Sequence, residues 1–154
     1  MSEIPLLRGQ VALVDDEDYE MLVAYGTWRI ASGVYAGMMR GGRTILMHRV
    51  ILGPQAGQEI DHINMDGLDN RRSNLRLATK SQNGIHRPKP RPSASRYKGV
   101  GWWRRDSCWR VKIGHGGRHV GYFANEDDAA HAYDAEAIRT YGAFAWLNFP
   151  EDHP

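Results

Sequence analysis

Between Gly84 and Arg96 the chain reads GIHRPKPRPSASR, and no regular helix is expected to run through it. Proline lacks the amide hydrogen that a helix interior needs, and it disfavours helical backbone in the residue before it. Alternating proline and basic residues prefer extended, semi-rigid backbone instead. A chain of 154 residues interrupted there reads as two small modules. The expected division is an N-terminal part over 1–87, a basic linker over 88–96 and a C-terminal part over 97–150.

Composition narrows the function classes. The single cysteine, Cys108, rules out an internal disulfide and a four-cysteine zinc site. A metal site would have to use His, Asp, Glu or Asn, a hard set that favours magnesium or manganese over zinc. No apolar run approaches the roughly 20 residues of a membrane span. The start, MSEIPLLRGQ, lacks a signal peptide's basic head and apolar middle. A cytoplasmic protein with no membrane partner and no small-molecule cofactor is expected.

The net charge of +2 hides an asymmetry. Gly84 to Phe123 holds ten basic residues against the single acid Asp106, a local +9. From Ala124 onward seven acids face the single base Arg139, a local −6. A basic stretch interleaved with Tyr97, Trp102, Trp103 and Trp109 attracts polyanions and offers rings to nucleic acid.

The first module opens as a small α/β segment. Val11 to Val14 reads as a strand. Asp15 to Asp18 then place acids in a helix's first turn, which suits the macrodipole better than it suits a metal. Tyr19, Leu22 and Val23 fall at helical spacing on one buried face, with Gly26 as the stop. Val34–Met39 and Thr44–Met47 flank Gly41-Gly42, a tight-hairpin signal. A short element over His48–Leu52 ends at Gly53-Pro54, and His48 reads as a packing residue.

The informative stretch is DHINMDGLDNRRSNLRLATKSQN, Asp61 to Asn83. Ile60–Ile63 and Leu75–Ala78 read as strands around a loop rich in Asp and Asn, with Leu75 and Leu77 on one strand face. Thr79 with Gln82 three residues later is a capping-box pattern that opens a helix. Phosphodiester hydrolysis needs charge neutralisation on the phosphate and a base for water, and imidazole suits the second task near neutral pH. Asp61 offers an anionic oxygen and His62 the imidazole. A regular strand would turn these neighbours to opposite faces, so they converge only where the strand twists or ends.

This stretch closely resembles the HNH endonuclease family, and within it the phage and intron-encoded homing branch. The resemblance implies a ββα-metal fold, with its core over 58–87, holding one Mg2+ or Mn2+ ion. It implies Asp61 and Asn83 as metal ligands and His62 as general base. Asn74 braces the loop and orients His62 through a hydrogen bond. His86, three residues beyond Asn83, is a reserve ligand. Arg71, Arg72 and Arg76 are candidates for gripping phosphate or for solvated surface.

In the C-terminal module Trp109, Val111 and Ile113 alternate with Arg110, Lys112 and Gly114, giving a strand apolar on one face only. Val120 and Phe123 continue the apolar set. An alanine-rich helix starts at Asn125 or Glu126 and stops at Gly142, after which Phe144, Trp146, Leu147 and Phe149 fold back. The pieces YKGV, W-x-V-x-I, GYF, DDAAHAYDAEAIRTYG and LNFP resemble the plant ethylene-response-factor (APETALA-like) DNA-binding domain. That resemblance implies a three-stranded antiparallel sheet lying in the major groove, backed by one helix. Trp103, Arg105, Arg110, Lys112 and His119 are the groove-facing candidates. Gly101 and Gly114 stand where relatives carry arginine, and the register near Arg104 and Arg105 needs an insertion, so the plant recognition sequence does not carry over.

The expected whole is an α+β chain that acts as a site-specific, metal-dependent endonuclease on double-stranded DNA. The alternative is a non-catalytic DNA-binding regulator with a degenerate motif. An RNA-binding accessory role would rest on charge and aromatics alone.

Overall fold

A computed structural model describes residues 1–88, 94–114 and 116–153. The chain forms two compact units, Met1–Lys80 and Ser81–Pro154. It is mixed α and β, built from small antiparallel sheets and few helices. Of the linker expected over 88–96, residues 89–93 lie outside the described residues.

In the first unit β1 (Ser2–Pro5) pairs antiparallel with β2 (Val11–Val14), placing Ser2 opposite Val14. Strand alternation buries Ala12 and Val14 and leaves Val11 outside. α1 (Asp16–Tyr25) follows, with Asp16, Glu17 and Asp18 in its first turn. Its buried residues are Asp18 and Leu22; Tyr19 is half-buried and Val23, expected inside, is 46% exposed. The reason lies 54 residues away: Arg72 reaches Asp18 and makes that carboxylate part of the interior.

β3 (Arg29–Ala31), β4 (Tyr35–Arg40) and β5 (Arg43–Leu46) form an antiparallel meander, turning at Gly41-Gly42. β1 and β3 escape a sequence reading because β1 carries Glu3 and Pro5 among only four residues and β3 has only three. α2 (Met47–Leu52) buries Met47, His48 and Ile51 and stops at Gly53 in the left-handed conformation. β6 (Glu59–His62) and β7 (Leu75–Ala78) pair antiparallel, with His62 opposite Leu75. Leu75 enters the core, whereas Leu77 stays 46% exposed. α3 (Lys80–Ile85) begins directly after Thr79, as the capping pattern implies, and the division between the units falls within it.

Trp28, Leu22, Met47 and Val14 are fully buried at the centre of this unit. Each such side chain contributes about 1.5–3 kcal/mol of hydrophobic stabilisation. The Trp28 indole also donates to the Leu22 carbonyl at 2.8 Å, so no buried donor is left unpaired there.

In the second unit β8 (Val100–Trp103), β9 (Cys108–Ile113) and β10 (Arg118–Phe123) form an antiparallel sheet in the order β10-β9-β8. α4 (Glu126–Tyr141) packs on one face, capped by Asn125, whose side chain accepts from the Asp127 and Asp128 amides. Ala129, Ala130 and Ala137 are completely buried, and small side chains bring helix and sheet close. Gly99 is required by this closeness: a Cβ there would lie 2.0 Å from the Tyr133 ring, and its φ is +76°. The tail folds back as expected. Buried Asp134 accepts hydrogen bonds from the Asn148 and Phe149 amides.

The segment after α3 is tied into this second unit. The Lys98 ammonium donates to the carbonyls of Ile85 and Arg87, each at 2.6 Å. Burial pushes its pKa down to about 8. His86 is buried, with its ring 6.0 Å from that of Trp146. Among the described residues no helix is long and apolar enough to cross a membrane.

Candidate active site

Asp61 and His62 close β6, and both are buried. Their side chains meet different neighbours. Asp61 lies opposite Arg76 on β7 and takes its guanidinium at 2.7 Å from Nε and 2.6 Å from the terminal nitrogen. His62 enters a cluster of three rings. It stacks on Tyr35 with centroids 5.5 Å apart and meets His48 edge-on at 5.1 Å. Tyr35 and His48 stand edge-on at 5.1 Å.

Gly67 makes this cluster possible. A Cβ at that position would lie 2.4 Å from the Val34 carbonyl and 2.7 Å from the Tyr35 ring. The loop can press Tyr35 towards His62 only without a side chain there.

The loop between β6 and β7 is held by its own polar residues. Asn74 ends a short 3-10 helix (Arg72–Asn74) and accepts from the Asn64 amide at 2.9 Å. Its side-chain nitrogen donates to the Asp69 carbonyl at 2.7 Å. Asn74 thus spans the loop with hydrogen bonds at both ends, and among the described residues its side chain makes none to His62, where the resemblance implies one. Its reach is taken up across the loop. Asn70 favours the charged form of the imidazole electrostatically, while its side-chain nitrogen donates to the Gly67 and Leu68 carbonyls. Asn70 is fully buried, and the loop is pinned beside it to β2: Leu13 donates to the Leu68 carbonyl and accepts from the Asn70 amide.

Burial lowers the His62 pKa below the ordinary imidazole value; Asn70 and the carboxylates of Asp61, Asp66 and Asp69 oppose this without overcoming it. A neutral imidazole can accept a proton, so burial favours the form that a base requires. His48 is pushed further, to about 4, by burial first and then by His62 and Arg49. Nε2 of His62 and Nδ1 of His48 are buried and have no hydrogen-bond partner among the described residues. His48 and Tyr35 were not legible as site residues, because their only signal is a position in space.

Arg71 and Arg72 are both engaged internally. Arg71 makes a two-pronged pair with buried Asp69, at 2.7 and 2.6 Å. Arg72 grips buried Asp18 at 2.8 and 2.7 Å and also meets Glu17 at 2.9 Å. Neither can give its charge to a phosphate without leaving a carboxylate behind. Asn83 sits on α3 and is half-buried.

No group of three His, Cys, Asp or Glu side chains stands together as a closed metal cage among the described residues. A hard cation that keeps several waters and takes phosphate oxygens needs only one or two carboxylates from the protein. Asp61, a buried hard-oxygen donor at the end of a strand, fits that demand.

In the second unit the register puts Trp103, Arg110, Lys112 and His119 on the sheet face opposite α4. Trp103, Arg110 and His119 form a continuous row through Tyr122, and Lys112 lies opposite His119. Arg110 lies 4.1 Å over the Trp103 ring, Trp103 is 6.4 Å from Tyr122, and Tyr122 is 4.5 Å from His119. Tyr122, half exposed, is the member that the sequence reading missed. Arg105 is not in the row: it lies in the turn between β8 and β9, paired with Asp106 at 3.5 Å. Arg118 faces the helix and pairs with Glu136.

Residues 46–85 match the family model described as HNH endonuclease. The matched segment begins just ahead of α2, includes His48, and contains Asp61, His62, Asn74 and Asn83. The match supports an HNH nuclease domain in this chain.

Proposed function

We propose that this chain is a metal-dependent DNA endonuclease whose catalytic centre is Asp61 and His62. The observation that carries the reading is that the family match surrounds a buried imidazole held neutral beside a buried carboxylate. His62 takes the proton from the attacking water. His48 and Tyr35 fix its ring, and Asn74 and Asn70 fix the loop beside it. Asp61 would hold one Mg2+ or Mn2+ ion, with Asn83 as the second ligand by family resemblance. That ion supplies charge neutralisation for the phosphate under attack. Arg76 is the counter-ion of Asp61 in its absence.

The second unit, in this reading, holds duplex DNA on the row of Trp103, Arg110, Lys112 and His119. The similarity to ethylene-response-factor domains and the placement of the acidic helix behind the sheet support it. Site-specific cutting of a phage or homing type follows from combining the two activities in one chain.

Incubation of supercoiled plasmid with the full chain and magnesium, manganese or chelator tests the reading. Nicked or linear product with either metal, absent with chelator, is expected, and His62→Ala should bind DNA but not cut it. Plasmid bound yet intact under all conditions would leave a DNA-binding regulator instead.

A further inference from the structure

Three arginines around the catalytic loop, Arg71, Arg72 and Arg76, are committed to buried carboxylates. Arg8 and Arg29 are among the arginines of the first unit that are not. They are exposed and make no ion pair among the described residues. Both line a groove of about 590 Å³ with Gln10, Ser32 and Thr44, and no acid lines it.

The fold brings these residues together from separate segments. The turn after β1 is fastened to the start of β3 by a bridge between Leu6 and Trp28 and by the Leu7 amide donating to the Trp28 carbonyl. That sets Arg8 beside Arg29. Arg8 itself occupies left-handed backbone, φ +78°, a conformation that favours glycine or asparagine. An arginine standing there at a conformational cost points to a use for its side chain.

The groove also borders the strand that carries Tyr35. By register Arg29 and Ala31 share a sheet face with Tyr35, Gly37 and Thr44. Ala31 lines the groove and pairs with Tyr35, whose ring stacks on His62. Arg29 is two residues along β3 from Ala31, about 7 Å. That distance is about two base-pair steps along a DNA strand.

We propose that this groove is a second binding site for DNA, holding the phosphodiester backbone a few nucleotides from the scissile phosphate. Arg8 and Arg29 grip phosphate oxygens, and Gln10, Ser32 and Thr44 donate neutral hydrogen bonds beside them. The site uses charge and no base edges, so it adds affinity without sequence preference. The proposal rests on the endonuclease reading for its alignment with His62, but not for the binding itself.

The test is the salt dependence of full-chain binding to a fluorescent duplex, with plasmid nicking measured in parallel. Arg8→Gln with Arg29→Gln should weaken binding several-fold and reduce the slope of log affinity against log salt by about two. Arg43→Gln, on the opposite sheet face by register, should leave the slope unchanged. An unchanged slope in the double variant would overturn the groove, as would an equal loss in Arg43→Gln. Circular dichroism and thermal midpoints guard against misfolding, and Arg8→Lys with Arg29→Lys should restore most of the slope. If the wild type binds with the expected slopes but never nicks plasmid, the groove stands and the endonuclease reading alone fails.

Discussion

His48 stands edge-on to His62 with ring centroids 5.1 Å apart, and both are packed against the ring of Tyr35. Two neutral imidazoles and a phenol ring thus form the wall that holds the candidate base. Removing one ring frees the next. Tyr35→Ala should therefore reduce plasmid nicking at saturating DNA at least tenfold while duplex affinity changes little. Wild-type turnover in that variant would show that the rings do not position His62.

The same burial makes the protein acid-sensitive. His48 takes a proton near pH 6.5 when unfolded but only at about 4 when folded. Between those values the unfolded chain binds more protons, so stability rises with pH and is lost as pH falls from 6.5 towards 4. The loss is on the order of 3 kcal/mol when complete. Urea midpoints at pH 7.5 and pH 5 should diverge in the wild type and converge in His48→Phe. An equal acid loss in both proteins would assign it to other groups.

In the proposed function, Arg76 and a divalent cation compete for the Asp61 carboxylate. Arg76→Met leaves that buried carboxylate without its guanidinium and should destabilise the first unit by about 3 kcal/mol. Added manganese should then raise the thermal midpoint of the variant more than that of the wild type. Equal metal-induced shifts would contradict a cation site at Asp61.

For Arg72 the expected defect is structural. Arg72→Ala strands buried Asp18 and breaks the tie between the catalytic loop and α1. Because Arg72 is 44% exposed, water moderates the cost to about 2 kcal/mol. Its salt slope for duplex binding should match the wild type. A reduced slope at wild-type stability would return Arg72 to the phosphate contacts.

The open face of the second unit should behave the opposite way. Arg110→Ala with Lys112→Ala should weaken duplex binding and lower the salt slope by about two, with little effect on the thermal midpoint. Arg118→Ala, on the helix side, should leave the slope intact. Equivalent effects from all three positions would mean that DNA does not use one sheet face.

Much of this was legible in the sequence because it is local. The strands around Asp61 and Leu75, the helix after Thr79 and the alternation of Val111 with Lys112 all declare themselves within a few residues. The surroundings of His62 do not. Tyr35, His48 and Asn70 reach it from a strand, a helix and a loop that only tertiary packing brings together. Arg72 and Asp18 are 54 residues apart, so no spacing rule links them, and an arginine on the surface proves committed to a buried carboxylate. Val23 failed as a core residue for the same reason, since helical spacing alone does not show which side a distant partner occupies.

The pinning of the loop between β6 and β7 to β2 has a consequence for how this chain can be dissected. The Leu68 carbonyl and Asn70 amide both spend their hydrogen bonds on Leu13, a residue that precedes the matched segment 46–85. The segment that carries the recognisable motif therefore takes part of its loop's support from outside its own borders. A minimal enzyme cut to the motif's borders would lose the strand that templates its loop, and a library or fusion built on this chain has to keep its first strands.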